Sequence, residues 1–148
     1  MIDLYDMPGH LIRRAQRLAV AIFMNHMSTS GHDLTPVQFG ALSVIGDNPG
    51  IDQATLAQHI AYDRVTIGGV IDRLCQKGHV QRLVNPEDRR SRVLSLTPGG
   101  ATILQDAIPD VLAAQDGILA GLTTAERQTF MALLRKLVDQ NEAKVSAG

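Results

Sequence analysis

Residues 79 to 100 read HVQRLVNPEDRRSRVLSLTPGG, and this stretch decides the fold. Apolar and polar residues alternate on both sides of Asn85-Pro86-Glu87-Asp88, whose residue types favour a turn. The pattern predicts a β-hairpin with strands over Val80 to Val84 and Val93 to Leu96. Guanidinium groups are concentrated on or beside its tip, where the sequence has Arg82, Arg89, Arg90 and Arg92.

Two short helices are predicted directly before the hairpin. Asp52 and Asp63 are suitable N-caps for them, because a carboxylate accepts hydrogen bonds from the free N–H groups of a first helical turn. Lys77-Gly78 supplies the cation and the glycine that are typical of a helix C-terminus. Two such helices followed by an arginine-tipped hairpin form a winged helix-turn-helix pattern. In that pattern the second helix, Asp63 to Lys77, is expected to lie in the DNA major groove.

Longer helical patterns flank this centre, and each begins with a proline or hydroxyl side chain suited to a helix N-terminus. They start at Pro8-Gly9, Thr35-Pro36, Thr97-Pro98 and Thr123-Thr124, and Pro109 is expected to bend the third of them. The expected fold is therefore mainly α with a small β-hairpin wing. It divides into an N-terminal dimerisation helix (1–34), a winged helix-turn-helix DNA-binding region (35–97) and C-terminal dimerisation helices (98–148).

The first helix and the last two carry apolar faces that the compact centre of the chain is too small to cover. Long helices of this kind commonly pair across a two-fold axis. We therefore expect a homodimer whose interface is built from residues near both termini. A monomeric bundle is the alternative, and a light-scattering mass near 16.0 kDa would support it.

Composition fits one α-rich domain. Of the 148 residues 45% are hydrophobic but only 3% aromatic, which favours helical packing over a β-sandwich. The net charge is −1, yet residues 63 to 92 contain seven basic and four acidic side chains and so carry +3, against −4 for the remainder. Polyanion binding depends on local potential, so this segment predicts a DNA-binding surface. A solvated charged loop is the alternative.

Several classes of protein are not indicated. The sequence shows no Gly-rich phosphate loop, nucleophile elbow or carboxylate pair, so we expect neither an enzyme nor a cofactor. Its longest apolar run, Leu18 to Met24, is far shorter than the roughly 20 residues that span a bilayer. The first ten residues carry no Lys or Arg, unlike a secretory signal. Together with a single cysteine, these features predict a cytoplasmic protein without membrane association.

On the second short helix we expect Arg64 and Thr66 to contact bases or phosphates. Arginine can bond guanine N7 and O6 together, and threonine can donate, accept or pack against a thymine methyl group. The pair Gly68-Gly69 weakens the helix by about 1 kcal/mol per residue relative to alanine. Their backbone is therefore expected to lie close either to DNA or to a neighbouring helix. Arg73 is expected to clamp a phosphate, with an ion pair to Asp72 as the alternative.

At the hairpin tip we expect the Asp88 carboxylate to pair with one of the two guanidinium groups that follow it and so brace the turn. Arg90 is expected to enter the minor groove, because narrow A·T-rich grooves attract arginine through their negative potential. Arg89 and Arg92 would then hold phosphates or the Asp88 carboxylate.

The run LTPVQFGALSVIGDNPGIDQATLAQHIAYDRVTIGGVIDRLCQKGHVQRLVNPEDRRSRVLSLTPGG resembles the winged-helix core of the MarR (multiple antibiotic resistance regulator) family. Its most specific phrases are DRVTIGGVIDRLCQKG and DRR followed by LSLTPGG, and the similarity extends to the flanking helices. The resemblance implies a homodimer that binds a pseudo-palindromic operator, usually as a repressor, and releases it when a small molecule binds. Family effectors are frequently phenolic or aromatic carboxylates. By resemblance, the DNA-binding positions are Arg64, Thr66, Arg73, Asp88 and Arg90.

An effector site is suggested on the first helix. His10, Arg14 and Arg17 recur at i, i+4 and i+7, so one carboxylate could meet two or three donors. For an aromatic acid, His10 and Arg14 would bind the carboxylate and Phe39 would lie beside the ring. The alternative is a solvated basic face.

Thiol and metal chemistry have weaker support. Cys75 falls late in the second short helix beside its buried face, so a small buried residue is a better interpretation than a redox sensor. The histidines show no close ligand spacing, and we expect no metal, although a site formed by His26, His32 and Asp33 is conceivable.

A function of another class also fits the pattern: a winged-helix adaptor that binds a protein through its sheet edge and terminal helices. Salt-sensitive binding to a specific duplex would indicate a regulator, and salt-insensitive binding to a protein would indicate an adaptor.

Overall fold

The computed structural model describes residues 1–147, and within them six α-helices surround a small sheet. The predicted order of helices is confirmed. A single turn of 3₁₀ helix over Leu4–Asp6, which was not predicted, precedes them. The helices are α1 (Pro8–Ser30), α2 (Pro36–Asp47), α3 (Gln53–His59), α4 (Arg64–Gln76), α5 (Pro98–Ile118) and α6 (Thr124–Ala147).

The hairpin is also confirmed, and it belongs to a three-stranded antiparallel sheet. Its strands are β2 (Val80–Val84) and β3 (Arg92–Leu96). A short strand from before α3, β1 (Ile51–Asp52), pairs with the other edge of β3 and places Ile51 opposite Leu94. Strand β1 was not predicted, because two residues are too few to show an alternating pattern.

The predicted caps set the boundaries of these helices. At the start of α6, the Glu126 carboxylate accepts a hydrogen bond from the backbone N–H of Thr123, and the Thr123 hydroxyl accepts one from the backbone N–H of Glu126. This is a complete capping box. The Asp52 carboxylate accepts a hydrogen bond from the N–H of Thr55 at the start of α3. Helix α5 continues through Pro109 as one element. The local signals in the sequence were therefore sufficient to place the helix starts.

The core lies where α2, α3 and α4 meet the sheet and the middle of α5. Its largest fully buried side chains include those of Leu42, Leu56, Ile67, Ile71 and Leu94. Helix α1 reaches this core only through its second half, with Phe23 and Met27. Its first half and α6 present exposed apolar side chains instead: Leu11, Ile12, Leu18, Leu133, Leu137 and Val138.

The segment between α1 and α2 connects the terminal helices to the winged helix. His32 lies 3.2 Å from the Asp110 carboxylate of α5, and the next residue, Asp33, bonds Lys77 at the end of α4. Among the residues described, no helix is both long enough and apolar enough to cross a membrane.

Candidate nucleic-acid interface

The first turn of α4 is presented outward by its N-cap. The Asp63 carboxylate accepts hydrogen bonds from the backbone N–H of Thr66 at 2.8 Å and from its hydroxyl at 2.9 Å. These hydrogen bonds hold the pKa of Asp63 below its ordinary value. Arg64, Val65 and Thr66 are all exposed. Because the Thr66 hydroxyl proton is directed to Asp63, its oxygen lone pair and its methyl group are what it can offer to a partner.

The two glycines of α4 have different surroundings. A Cβ atom on Gly68 would lie 3.5 Å from Nε2 of Gln53 in α3, and Gly68 is half-buried. A Cβ atom on Gly69 would meet no atom within 4 Å in the described part of the chain. A Cβ atom on Gly68 would thus be in ordinary contact with α3, and the DNA contact predicted for Gly68, with helix packing as its alternative, stays a prediction. The glycine that faces outward is Gly69.

Guanidinium groups from α4 and from the wing line one open cleft. The cleft has a volume of about 330 Å³ and is lined by Arg64 of α4 and by Arg90 and Arg92 of the wing. Asp52 and Gln53, at the start of α3, also line it, and the Asp52 carboxylate is bound to Thr55. These residues are far apart in the sequence, and the fold brings them together. The cleft can bind a polyanion that contacts α4 and the wing at the same time.

The turn at the wing tip is braced differently from our expectation. The Asp88 carboxylate accepts a hydrogen bond from the backbone N–H of Arg90 at 3.0 Å, and no guanidinium pairs with it in the structure as described. The guanidinium of Arg92 donates to the carbonyl of Arg89 at 3.2 Å, not to Asp88. The predicted Asp88–arginine ion pair is therefore wrong, because the carboxylate is satisfied by the local turn. Arg89 and Arg90 are exposed at the tip.

Two basic side chains of the segment 63–92, those of Arg82 and Lys77, form ion pairs with other parts of the fold. Arg82 of β2 forms an ion pair with Asp72 of α4, with 2.7 Å between Nη2 and Oδ1. Arg73 is exposed and has no ion pair among residues 1–147, so the alternative pair between Arg73 and Asp72 is not formed. Lys77 bonds Asp33. The cations that remain free for a polyanion are thus on the outer face of α4 and at the wing tip.

Cys75 of α4 is half-buried and packs against the core. Burial is the largest of the influences on its thiol and raises its pKa. A thiol with a raised pKa is a poor nucleophile at neutral pH. This environment fits the packing role expected from the sequence.

The residues expected to bind an effector are brought together only in part. The ring of His10 lies edge-on to that of Tyr5, with 5.6 Å between centroids, and the Arg14 guanidinium lies 5.6 Å from the centroid of the same ring. Phe39 packs against Phe23 instead, at 6.3 Å between centroids. Since Phe23 is nine residues beyond Arg14 on α1, it lies about 14 Å further along the helix. Within one protomer, Phe39 is therefore remote from His10 and Arg14.

Arg13 was not predicted at this site. It lines an open pocket of about 610 Å³ together with His10, Met7 and residues of the preceding turn. Arg13 is three residues after His10, which is also a neighbouring position on a helix surface. The predicted site contained only the i, i+4 and i+7 positions of α1, and Arg13 is at i+3.

The three residues that could form a metal site, His26, His32 and Asp33, are each bound to another group of the protein. Nδ1 of His26 lies 2.9 Å from the carbonyl of Ile22, His32 bonds Asp110, and Asp33 bonds Lys77. In the described portion of the chain, no group of three or more histidine, cysteine or acidic side chains is arranged to hold a metal ion.

Comparisons with known proteins agree with this geometry. Residues 32–91 match the family model described as MarR family. The chain is 34% identical to the HTH-type transcriptional repressor NicR of Pseudomonas putida, over 95% of this chain and 87% of NicR. It is similar to the structure of Bordetella bronchiseptica BpsR, whose DNA binding is regulated by 6-hydroxynicotinic acid (32% identity, TM-score 0.86, covering 94% of this chain and 98% of that one). It is also similar to the structure of a mutant of MarR from E. coli complexed with operator DNA. The identity is 30% and the TM-score 0.79, and the match covers 87% of this chain and 91% of that one. The chain belongs to the MarR family of winged-helix, DNA-binding transcriptional regulators, which are not enzymes.

Proposed function

We propose that the protein is a homodimeric repressor that binds a pseudo-palindromic operator and releases it when a small aromatic acid binds. The observation that carries the DNA-binding part is the cleft at which Arg64 of α4 meets Arg90 and Arg92 of the wing. In a winged helix-turn-helix, the recognition helix enters the major groove while the wing reaches phosphates or the minor groove. Arg73, Arg89 and the Asp88-braced turn extend the same surface.

The homodimer is supported by the apolar faces of α1 and α6. Ile12 of α1 and Leu137, Val138 and Val145 of α6 line a groove of about 480 Å³ that is open to solvent. A second copy would cover this groove and place two α4 helices on one face of the duplex. Two-fold symmetry then predicts half-sites about one helical turn, roughly 10 base pairs, apart.

The proposed effector class is a hydroxylated aromatic or heteroaromatic carboxylate. BpsR responds to 6-hydroxynicotinic acid, which is a compound of this class. In this chain His10 and Arg14 lie against one aromatic ring, that of Tyr5, and Arg13 lines a pocket together with His10. A carboxylate is bound well by such donors, and the Tyr5 ring can pack against an aromatic ligand. The ring beside His10 and Arg14 is that of Tyr5 and not that of the predicted Phe39.

The DNA-binding proposal is tested by fluorescence anisotropy with a duplex from the promoter of the protein's own gene. We expect specific binding that weakens steeply as salt increases, and much weaker binding to a scrambled duplex of equal composition. Arg64→Ala and Arg90→Ala should each weaken binding, whereas Lys144→Ala, at the far end of α6, is the matched control. Failure to prefer the promoter duplex even at low salt, together with salt-insensitive binding to a protein, would establish an adaptor instead.

The effector proposal is tested by calorimetry with 6-hydroxynicotinate and with a matched ring that lacks the carboxylate. We expect the acid to bind and to lower operator affinity, and the neutral ring to do neither. His10→Ala, Arg13→Ala and Arg14→Ala should weaken binding of the acid, whereas Arg135→Ala on α6 is a control for lost positive charge. Undiminished binding in all three variants would show that the basic start of α1 is only a solvated face.

A further inference from the structure

Val65 is an apolar residue at the most outward part of the recognition helix. Its side chain is 87% exposed, a fraction that only Met1 exceeds among the large hydrophobic residues described. It follows Arg64 in the first turn of α4, the part of a recognition helix that faces base edges. A single exposed valine is ordinary on a protein surface. The significance of Val65 comes from Gly69, which lies one helical turn further along α4.

Gly69 lies at i+4 from Val65 and therefore on the same face of α4. Helical side chains lean toward the N-terminus, so a side chain at position 69 would fill the space beside Val65. No atom of the described chain within 4 Å prevents a methyl group there, although alanine would be the better helix former. Packing inside the protein therefore gives no reason for glycine at this position. Helix geometry therefore leaves bare backbone at Gly69 beside the exposed Val65 side chain, and we call this place the recess.

We propose that this recess receives the 5-methyl group of a thymine in the major groove, and that Val65 is a specificity-determining residue. Thymine is the base of ordinary DNA that presents a methyl group there. The surroundings select a polyanion, because Arg64 adjoins Val65 and Arg73 continues the Val65–Gly69 stripe one turn later. This inference rests on the proposed operator binding and deepens it.

The test replaces thymine by deoxyuracil, which removes only the methyl group, at one symmetric pair of operator positions at a time. At one pair we expect the wild type to bind about fourfold more weakly per half-site, the effect of exposing one apolar methyl group. Val65→Ala should bind the thymine and uracil operators alike. Leu83→Ala, which removes an exposed aliphatic side chain from the wing, should keep the wild-type ratio of thymine to uracil affinity.

Gly69→Ala provides a second measurement. The variant should unfold at the wild-type temperature or above it, because the added methyl group has space, and yet bind the thymine operator several-fold more weakly. Unchanged operator affinity in Gly69→Ala would contradict the recess. A wild type that prefers its operator but is indifferent to uracil at every position would overturn the assignment, as would Val65→Ala with an unaltered ratio. Loss of all operator preference in the wild type would instead contradict the proposed function.

Discussion

Lys77, the C-cap residue of α4, is bound to Asp33 in the segment between α1 and α2. The Lys77 Nζ lies 3.2 Å from the Asp33 carboxylate and 2.5 Å from the Asp33 carbonyl oxygen. It also lies 3.2 Å from Oε1 of Gln38, a buried side chain that completes the capping box of α2. One ammonium group thus connects α4 to the junction between the terminal helices and the winged helix.

Lys77→Met should lower the free energy of unfolding by about 1 to 2 kcal/mol, because the Gln38 oxygen and the Asp33 carbonyl lose a charged donor. Asp33→Asn should cost less than about 1 kcal/mol, because the Asp33 side chain is largely exposed and the backbone carbonyl bond persists. Urea unfolding of both variants measures the difference. Equal losses in the two variants would show that the exposed ion pair, and not the backbone and Gln38 bonds, accounts for the effect.

Gly100 lies against the backbone of His79, where β2 is about to begin. A Cβ atom at position 100 would overlap the His79 carbonyl oxygen and lie 2.8 Å from its carbonyl carbon. Backbone cannot rotate away as a side chain can, so Gly100→Ala should destabilise the fold by about 3 kcal/mol or more. The matched control is Gly99→Ala, whose Cβ would lie 3.7 Å from Oγ1 of Thr97 in ordinary contact. Thermal unfolding of the two alanine variants should separate them clearly, and similar midpoints would contradict the steric argument.

Arg90→Ala should weaken operator binding and reduce the slope of log affinity against log salt by about one unit, because one guanidinium no longer displaces a counterion. Arg82→Ala should act differently, since Arg82 is bound to Asp72 and supports the wing. We expect it to reduce stability while the salt slope changes little. Anisotropy titrations at several salt concentrations distinguish the two. An unchanged slope in Arg90→Ala would mean that this side chain does not reach the DNA backbone.

Local signals in the sequence predicted most of the fold. Thr123 and Glu126 are three residues apart and form their capping box within one turn, so the sequence alone contains the whole interaction. The wing strands were predicted for the same reason, because alternation and turn chemistry act over a few residues. β1 was missed, since its pairing with β3 depends on a partner about 40 residues away.

The sequence indicated which side chains belong to the candidate sites, but it did not indicate which groups they contact. Asp88 was correctly placed at the wing tip, but its carboxylate bonds the Arg90 backbone rather than a guanidinium. Arg82 was counted among the wing cations, and only the packing of β2 on α4 shows that Asp72 binds it. Phe39 was assigned to His10 and Arg14 by chemistry, whereas the path of α2 places it beside Phe23. Contacts between distant segments decide such pairings, and the spacing of residues along one helix does not contain them.

His79 predicts a dependence of stability on pH. Its ring is half-buried, and Nδ1 is buried without a hydrogen-bond partner among the described residues. Burial, and then the charge of Lys77, lower the pKa of His79 below its ordinary value of 6.5. The unfolded chain therefore binds a proton at this ring more readily than the folded chain does. The free energy of unfolding therefore has its full value, as far as His79 is concerned, above about pH 6.5. It decreases as the pH falls through that value toward the pKa of His79 in the folded chain.

We expect the urea midpoint of the wild type to fall between about pH 7.5 and pH 5.5, and that of His79→Gln to fall less. His59→Gln removes an exposed histidine from α3 and should keep the pH dependence of the wild type. Comparing the three proteins at each pH isolates the contribution of His79 from the other titrating groups. If His79→Gln lost stability as steeply as the wild type, a different group would be responsible for the pH dependence.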